Sequence, residues 1–211
     1  MVKKFTRDQK EILFGILLGD AHLETQNNEI TFRLKVEQSL KHKAYLLHLY
    51  EVFKPWVPSL PQDRIIYYKN TNQSTNVRFS TLTHISFRFF GKQFYKNKKK
   101  VVPKLIHRWL TPRALAYWFM DDGSMKSIQS KGVILNTQGF YYADVQTLCN
   151  ALQKNFNLSC WPRKQKNTYQ IYISGKSYEI LRDVIYEFII PEMRYKFPLP
   201  RKNKQTLFGK D

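Results

Sequence analysis

Asp20 and Asp122 stand half a chain apart in 211 residues, and each closes a long apolar run, "EILFGILLGD" (11–20) and "ALAYWFMDD" (114–122). A carboxylate at a helix C-terminus meets the partial negative charge of the macrodipole, where stability alone favours Lys or Arg. Two such ends brought together repel each other, and a bound divalent cation offsets the repulsion. Mg²⁺ suits this donor set, because it takes carboxylate oxygens, keeps waters and completes its shell with phosphate. The two aspartates therefore describe a cation site shared between two helices.

The elements that must position them are legible on either side. Thr111 is a good N-cap, Pro112 suits the first helical position, and Gly123 is placed to end the helix. Thr6 followed by Gln9 has capping-box spacing and opens the earlier helix, which ends at Gly19-Asp20. Both helices are apolar on most sides, which predicts that they bury against each other. Gly15 and Gly19 share one face and permit close backbone approach, with Ala116 as the expected small counterpart. Packed in parallel, the two helices bring Asp20 and Asp122 together at one end.

The match extends past the helices, as expected of an internal duplication. "EITFRLKVEQS" (29–39) alternates, with Ile30, Phe32, Leu34 and Val36 on one face and Thr31, Arg33, Lys35 and Glu37 on the other. "GVILNTQGF" (132–140) is the corresponding, less regular strand. Each copy then offers an amphipathic helix, through Leu46, Leu49, Tyr50 and Phe53 in one and Val145, Leu148, Cys149, Leu152 and Phe156 in the other. Hairpins follow at 64–81 and 160–175, and each copy closes on an aromatic-rich helical piece with Lys and Pro, "KKKVVPK" and "MRYKFP". The fold class is α+β: two tandem αββαββα units, residues 1–110 and 111–211, packed like a small homodimer within one monomer.

Composition points to the partner. Lys and Arg number 35 against 16 Asp and Glu, a net charge of +19, which implies a polyanion and nucleic acid first. An anionic membrane would need a basic amphipathic helix or a long apolar span, and the longest apolar runs are too short for the latter. The charged N-terminus lacks a small-residue cleavage site and does not read as a signal peptide. Cys149 and Cys160 give no metal-ligand spacing and no disulfide framework, so the chain reads as intracellular.

"LFGILLGDA" (13–21) and "LAYWFMDDG" (115–123) resemble the paired signature helices of LAGLIDADG homing endonucleases in their single-chain, two-motif form. The second copy keeps the initial Leu-Ala and the terminal Asp-Gly. The first departs more, with Phe14 and with Ala21 in place of the final Gly. The resemblance covers nearly the whole chain. It implies two twisted four-stranded sheets forming a saddle on double-stranded DNA. It also implies cleavage at a long asymmetric target that leaves 3′ overhangs, usually serving intron homing. Asp20 and Asp122 would bind the metals with help from the backbone carbonyls of Gly19 and Asp121. Gln38 and Gln138 match the position that orders active-site water, and Lys100 and Lys196 match the basic position closing each half. Mg²⁺ would be the working ion, Mn²⁺ a substitute, and Ca²⁺ an ion that binds without supporting cleavage. Outward side chains of the sheets would contact DNA: Thr31, Arg33, Lys35, Tyr67, Lys69, Arg78 and Ser80, then Arg163, Lys164, Lys166, Gln170 and Tyr172. The family's distribution implies a mitochondrion or chloroplast.

Two other functions fit the same scaffold. A maturase would bind structured intron RNA to assist splicing, and nothing in the basic faces separates RNA from DNA. A non-catalytic regulator would be expected to lose one of the Asp or Lys positions, all of which stand here. A lone Asp at a helix end is an ordinary solvated residue, as is a lone Gln in a strand. Their matched placement in both copies is what carries the functional reading.

Overall fold

A computed structural model describes residues 3–67, 73–127 and 129–198. Helix α1 (Arg7–Leu18) leads into β1 (His22–Glu24), β2 (Arg33–Ser39), α2 (Lys43–Phe53), β3 (Gln62–Tyr67), β4 (Gln73–Ser80) and α3 (Arg88–Phe94). A small hairpin, β5 (Tyr95–Lys96) and β6 (Lys99–Lys100), and the short α4 (Ile106–Trp109) lie between the copies. The order then repeats as α5 (Pro112–Asp122), β7 (Gly123–Ser127), β8 (Ser130–Leu135), α6 (Tyr142–Phe156), β9 (Cys160–Gln165), β10 (Thr168–Ile173) and α7 (Tyr178–Ile185). A 3₁₀ helix, Pro191–Lys196, closes the second copy. The two antiparallel sheets have the same topology, β1-β2-β4-β3 and β7-β8-β10-β9.

The caps form as the sequence implies. Thr6 and Gln9 complete a reciprocal capping box, and the Thr111 side chain accepts from Ala114 N–H. Helices α1 and α5 lie side by side in parallel, and their buried runs, Ile12–Leu18 and Ala114–Met120, join the two halves into one core. Gly15 makes the approach possible, because a Cβ there would lie 2.3 Å from the Ala114 carbonyl oxygen. The small counterpart is thus Ala114, two residues and about half a turn from the residue anticipated: Ala116 is buried, but it is not what Gly15 or Gly19 meets. All four apolar positions marked on α2 are buried, as are four of the five on α6, with Phe156 partly covered.

Two strand boundaries depart from the alternation. Strand β2 begins at Arg33, and Ile30 is 53% exposed where its parity placed it inward. Asn28 and Glu29 both take left-handed backbone angles, so the chain turns before the pleat starts. Strand β8 ends at Leu135, five residues short of the run read as its strand: Asn136 N–H still bonds the Asp122 carbonyl, and a turn closed by Phe140 N–H on the Thr137 carbonyl follows. Among the described residues no helix is long and apolar enough to cross a membrane.

Candidate active site

The C-terminal ends of α1 and α5 meet at the seam and gather three carboxylates, Asp20, Asp121 and Asp122. Asp20 is exposed and accepts from Gln38 Nε2 at 2.9 Å. The Asp121 carboxyl, closed in at the seam, accepts the Asp20 backbone N–H through Oδ2 at 3.1 Å and Gln38 Nε2 through Oδ1 at 3.3 Å. Asp122 takes a bond from its own helix, Trp118 Nε1 to Oδ2 at 3.2 Å. Burial and then the Asp20 charge hold Asp121 well above the usual carboxylate range. The same two causes, in the same order, push Asp122 up to about 7.

Two lysines cap the helix ends that carry these acids. Lys100, on β6, donates from Nζ to the carbonyls of Gly19 at 2.6 Å and Ala21 at 2.9 Å. Lys196, at the end of its 3₁₀ helix and only 8% exposed, donates to the carbonyls of Met120 and of Asp121, the latter at 2.8 Å. These are the cations a helix C-terminus favours, supplied from elsewhere in the chain. Burial lowers both ammonium groups against the pull of the three aspartates, Lys100 to about 8. The Gly19 and Asp121 carbonyls expected to assist a metal are thus already engaged, although each carbonyl oxygen carries two lone pairs.

The two glutamines are not equivalent. Gln38 is 6% exposed, and its inward parity aims it at the seam. His22 pairs with Lys35 in the first sheet and Ser124 with Ile134 in the second. By that register the pleat position of Gln38 falls in the second copy on Thr137, which is buried and donates to the Tyr169 carbonyl. Gln138 lies one residue further on. It lines a cavity of about 280 Å³ with Asp122 and Lys100, but its side chain donates to Asn136 and Gln165 and not to Asp122. The turn from Thr137 to Phe140 accounts for the offset.

Cross-strand pairing sorts the proposed DNA contacts. Arg33, Lys35, Arg78 and Ser80 share the outward face of the first sheet, with Arg64 and Asn76 beside them. Arg33 and Lys35 both pair with Glu24, and Arg64 with Glu37; these part-exposed ion pairs are weak enough to exchange for phosphate. Thr31 lies outside the strand, bonded to Asn27. Tyr67 pairs with Gln73 on the face of Val77, so it points to the helix side of the sheet and not toward Arg78. In the second sheet Arg163, Gln170 and Tyr172 face outward, joined by Trp161, whose ring lies 5.0 Å from that of Tyr172, and by Lys126 over the same tyrosine. Lys164 is opposite Tyr169 on the helix side, since neighbours in a strand point to opposite faces. Gln170 faces outward but is only 7% exposed and donates to Asn136, so it offers little open surface. Lys166 sits in the exposed hairpin turn. Lys69 lies outside the described residues.

Two groups that bond the aspartates have no role in the sequence reading, the Trp118 indole and the Asp121 side chain. The one local signal is spacing: Trp118 and Asp122 are a helical i,i+4 pair.

Residues 10–181 match the LAGLIDADG DNA endonuclease family. A probable intron-encoded endonuclease of Wickerhamomyces canadensis is 38% identical over 196 residues, spanning 89% of this chain and 83% of the relative. DNA endonuclease I-ChuI of Chlamydomonas applanata is 33% identical over 90% of this chain and 94% of its own. A cytochrome b mRNA maturase, bI2 of Debaryomyces hansenii, is also 33% identical, over 92% of this chain and 75% of its own. The solved structure of homing endonuclease I-WcaI bound to its DNA recognition sequence superimposes with a TM-score of 0.87 at 35% identity, covering 92% of this chain and 87% of that one. With paired helices, matched sheets and family model in agreement, the chain belongs to the LAGLIDADG DNA endonuclease family.

Proposed function

We infer that this chain is a homing endonuclease that hydrolyses both strands of a long asymmetric DNA target, in the manner of intron-encoded relatives, and that Mg²⁺ is its working ion. The observation that carries the reading is the meeting of Asp20 and Asp122 at the abutting ends of α1 and α5, each end capped by a lysine from its own half. The residues fit a hard divalent cation. The donors at the seam are carboxylate and carbonyl oxygens, the set a hard cation takes, and water and phosphate would complete its shell. Asp20 and Asp122 would hold it.

A bound divalent cation supplies an acidified water and neutralises charge on the phosphate. The chain's own groups do the rest. Gln38, fixed by two carboxylates, orients water at the Asp20 end. Nζ of Lys100 and of Lys196 place positive charge beside the reacting phosphate and hold a proton less firmly than an exposed lysine does. The outward face through Arg33, Lys35, Arg78, Arg163 and Tyr172 lies against the duplex, with the halves dividing near Leu110 and the monomer covering both half-sites. An organelle genome is the proposed origin.

Incubating the protein with a randomised duplex library in Mg²⁺, Ca²⁺ or EDTA tests this. A shared long motif at the cut ends, in Mg²⁺ alone, is expected. A second reading, intron RNA binding, has the maturase relative in its favour; no enrichment of cut DNA, with tight binding to structured RNA, would move the assignment there.

A further inference from the structure

The Gln38 amide is the middle of a longer chain of hydrogen bonds. Its Nε2 faces two carboxylate oxygens and must be the donor end, which leaves Oε1 as the acceptor toward His42 Nδ1 at 3.4 Å. The His42 Nδ1 therefore carries the hydrogen, and Nε2, 2.9 Å from Tyr195 Oη, accepts from it. The rings of His42 and Tyr195 are near parallel, at 25°. Every bond in this chain points the same way, from Tyr195 through His42 and Gln38 to Asp20 and Asp121, the arrangement in which neighbouring bonds polarise one another.

The chain crosses the seam twice. Gln38 and His42 belong to the first copy, Asp121 and Tyr195 to the second. Among the described residues nothing equivalent serves Asp122, where the register counterpart of Gln38 is a threonine turned to a backbone carbonyl, and the carboxylate takes its bond from Trp118.

The geometry points to His42 and Tyr195 as positioning residues that hold Gln38 against Asp20, so that cleavage of one DNA strand depends on them and cleavage of the other does not. The inference rests on the nuclease reading above. Neither ring need touch DNA. His42 fixes which way the amide faces, and Tyr195 fixes the His42 tautomer.

Single-turnover cutting of the recovered target, with each strand labelled separately, tests this. His42→Leu is expected to slow one strand by roughly tenfold or more, leave the other within about twofold, and accumulate nicked duplex. Tyr195→Phe slows the same strand by less. His42→Asn is the conservative rescue, since its Nδ2 can donate to Gln38 Oε1, and it should recover most of the lost rate. Trp118→Phe should delay the opposite strand. Thermal unfolding of each variant sets the folded fraction to which rates are normalised. Equal slowing of both strands in His42→Leu, or a His42→Asn variant no better than His42→Leu, overturns the proposal and leaves the nuclease reading standing. A wild-type protein that cuts neither strand overturns the nuclease reading itself.

Discussion

Gly19 lies so close to Asp121 that a Cβ added to the glycine would sit 2.3 Å from Asp121 Oδ2. The glycine has a negative φ, and what it gives the seam is space. The missing side chain is what lets the carboxyl reach across the seam to the Asp20 N–H.

Gly19→Ala should therefore act at the site as well as on stability. Overpacking of this kind costs about 1–3 kcal/mol. The expected result is a lowered thermal midpoint with a loss of cleavage larger than the unfolded fraction explains, read by unfolding and cutting assays on one preparation.

The raised Asp122 gives a pH prediction for the cation-free protein. A carboxyl whose folded value lies above its unfolded one contributes stability that is present below about 3.8 and lost as pH rises through about 7. His22, His42 and His48 are depressed by burial and work in the opposite direction over part of that window, so the difference between proteins is the useful quantity. Asp122→Asn should gain on the wild type by roughly 4 kcal/mol between about pH 4 and 7 in EDTA. Denaturant titrations across that range check it. Millimolar Mg²⁺ should narrow the advantage near neutrality, because the variant has lost one of the two carboxylates, Asp20 and Asp122, that would hold the ion.

Lys100→Met removes the donor to the carbonyls of Gly19 and Ala21. Loss of such a donor costs about 1 kcal/mol in stability. Removing a charge aimed at the reacting group costs about a hundredfold or more in rate. DNA affinity measured in Ca²⁺ should stay within a few-fold of the wild type, which separates the chemical role from binding.

The pairing register separates DNA contacts that the sequence grouped together. Arg78→Ala, on the outward face, should weaken binding and lower the slope of log K against log salt by about one. Tyr67→Ala, on the helix side, should change neither. Fluorescence anisotropy at several salt concentrations distinguishes them.

Much of the fold was legible because it rests on local patterns repeated in two copies. Thr caps, unbroken apolar helices and small residues at Gly15 and Gly19 specify α1 and α5. The lysines could be placed only through family resemblance, since Lys100 reaches the seam on a two-residue strand that composition does not mark. What stayed hidden is register. Gln138 looked like the twin of Gln38 because both follow an apolar strand, but the turn after Leu135 moves the equivalent pleat position to Thr137. Lys164 and Tyr67 failed for the same reason: face is decided by the partner strand, which alternation within one strand does not reveal. The tie of Gln38 to His42 and Tyr195 depends on the contact between halves, and a single chain's spacing carries no sign of it.

The central claim is that Asp20 and Asp122 together form the cutting site at the α1–α5 seam. Its most direct test is strand-resolved cleavage of the recovered target in Mg²⁺ by the wild type, Asp20→Asn and Asp122→Asn, with the ends mapped. The wild type should leave 3′ overhangs, and either variant should lose double-strand cutting with the duplex still bound. Double-strand cutting by either variant at the wild-type rate would contradict it.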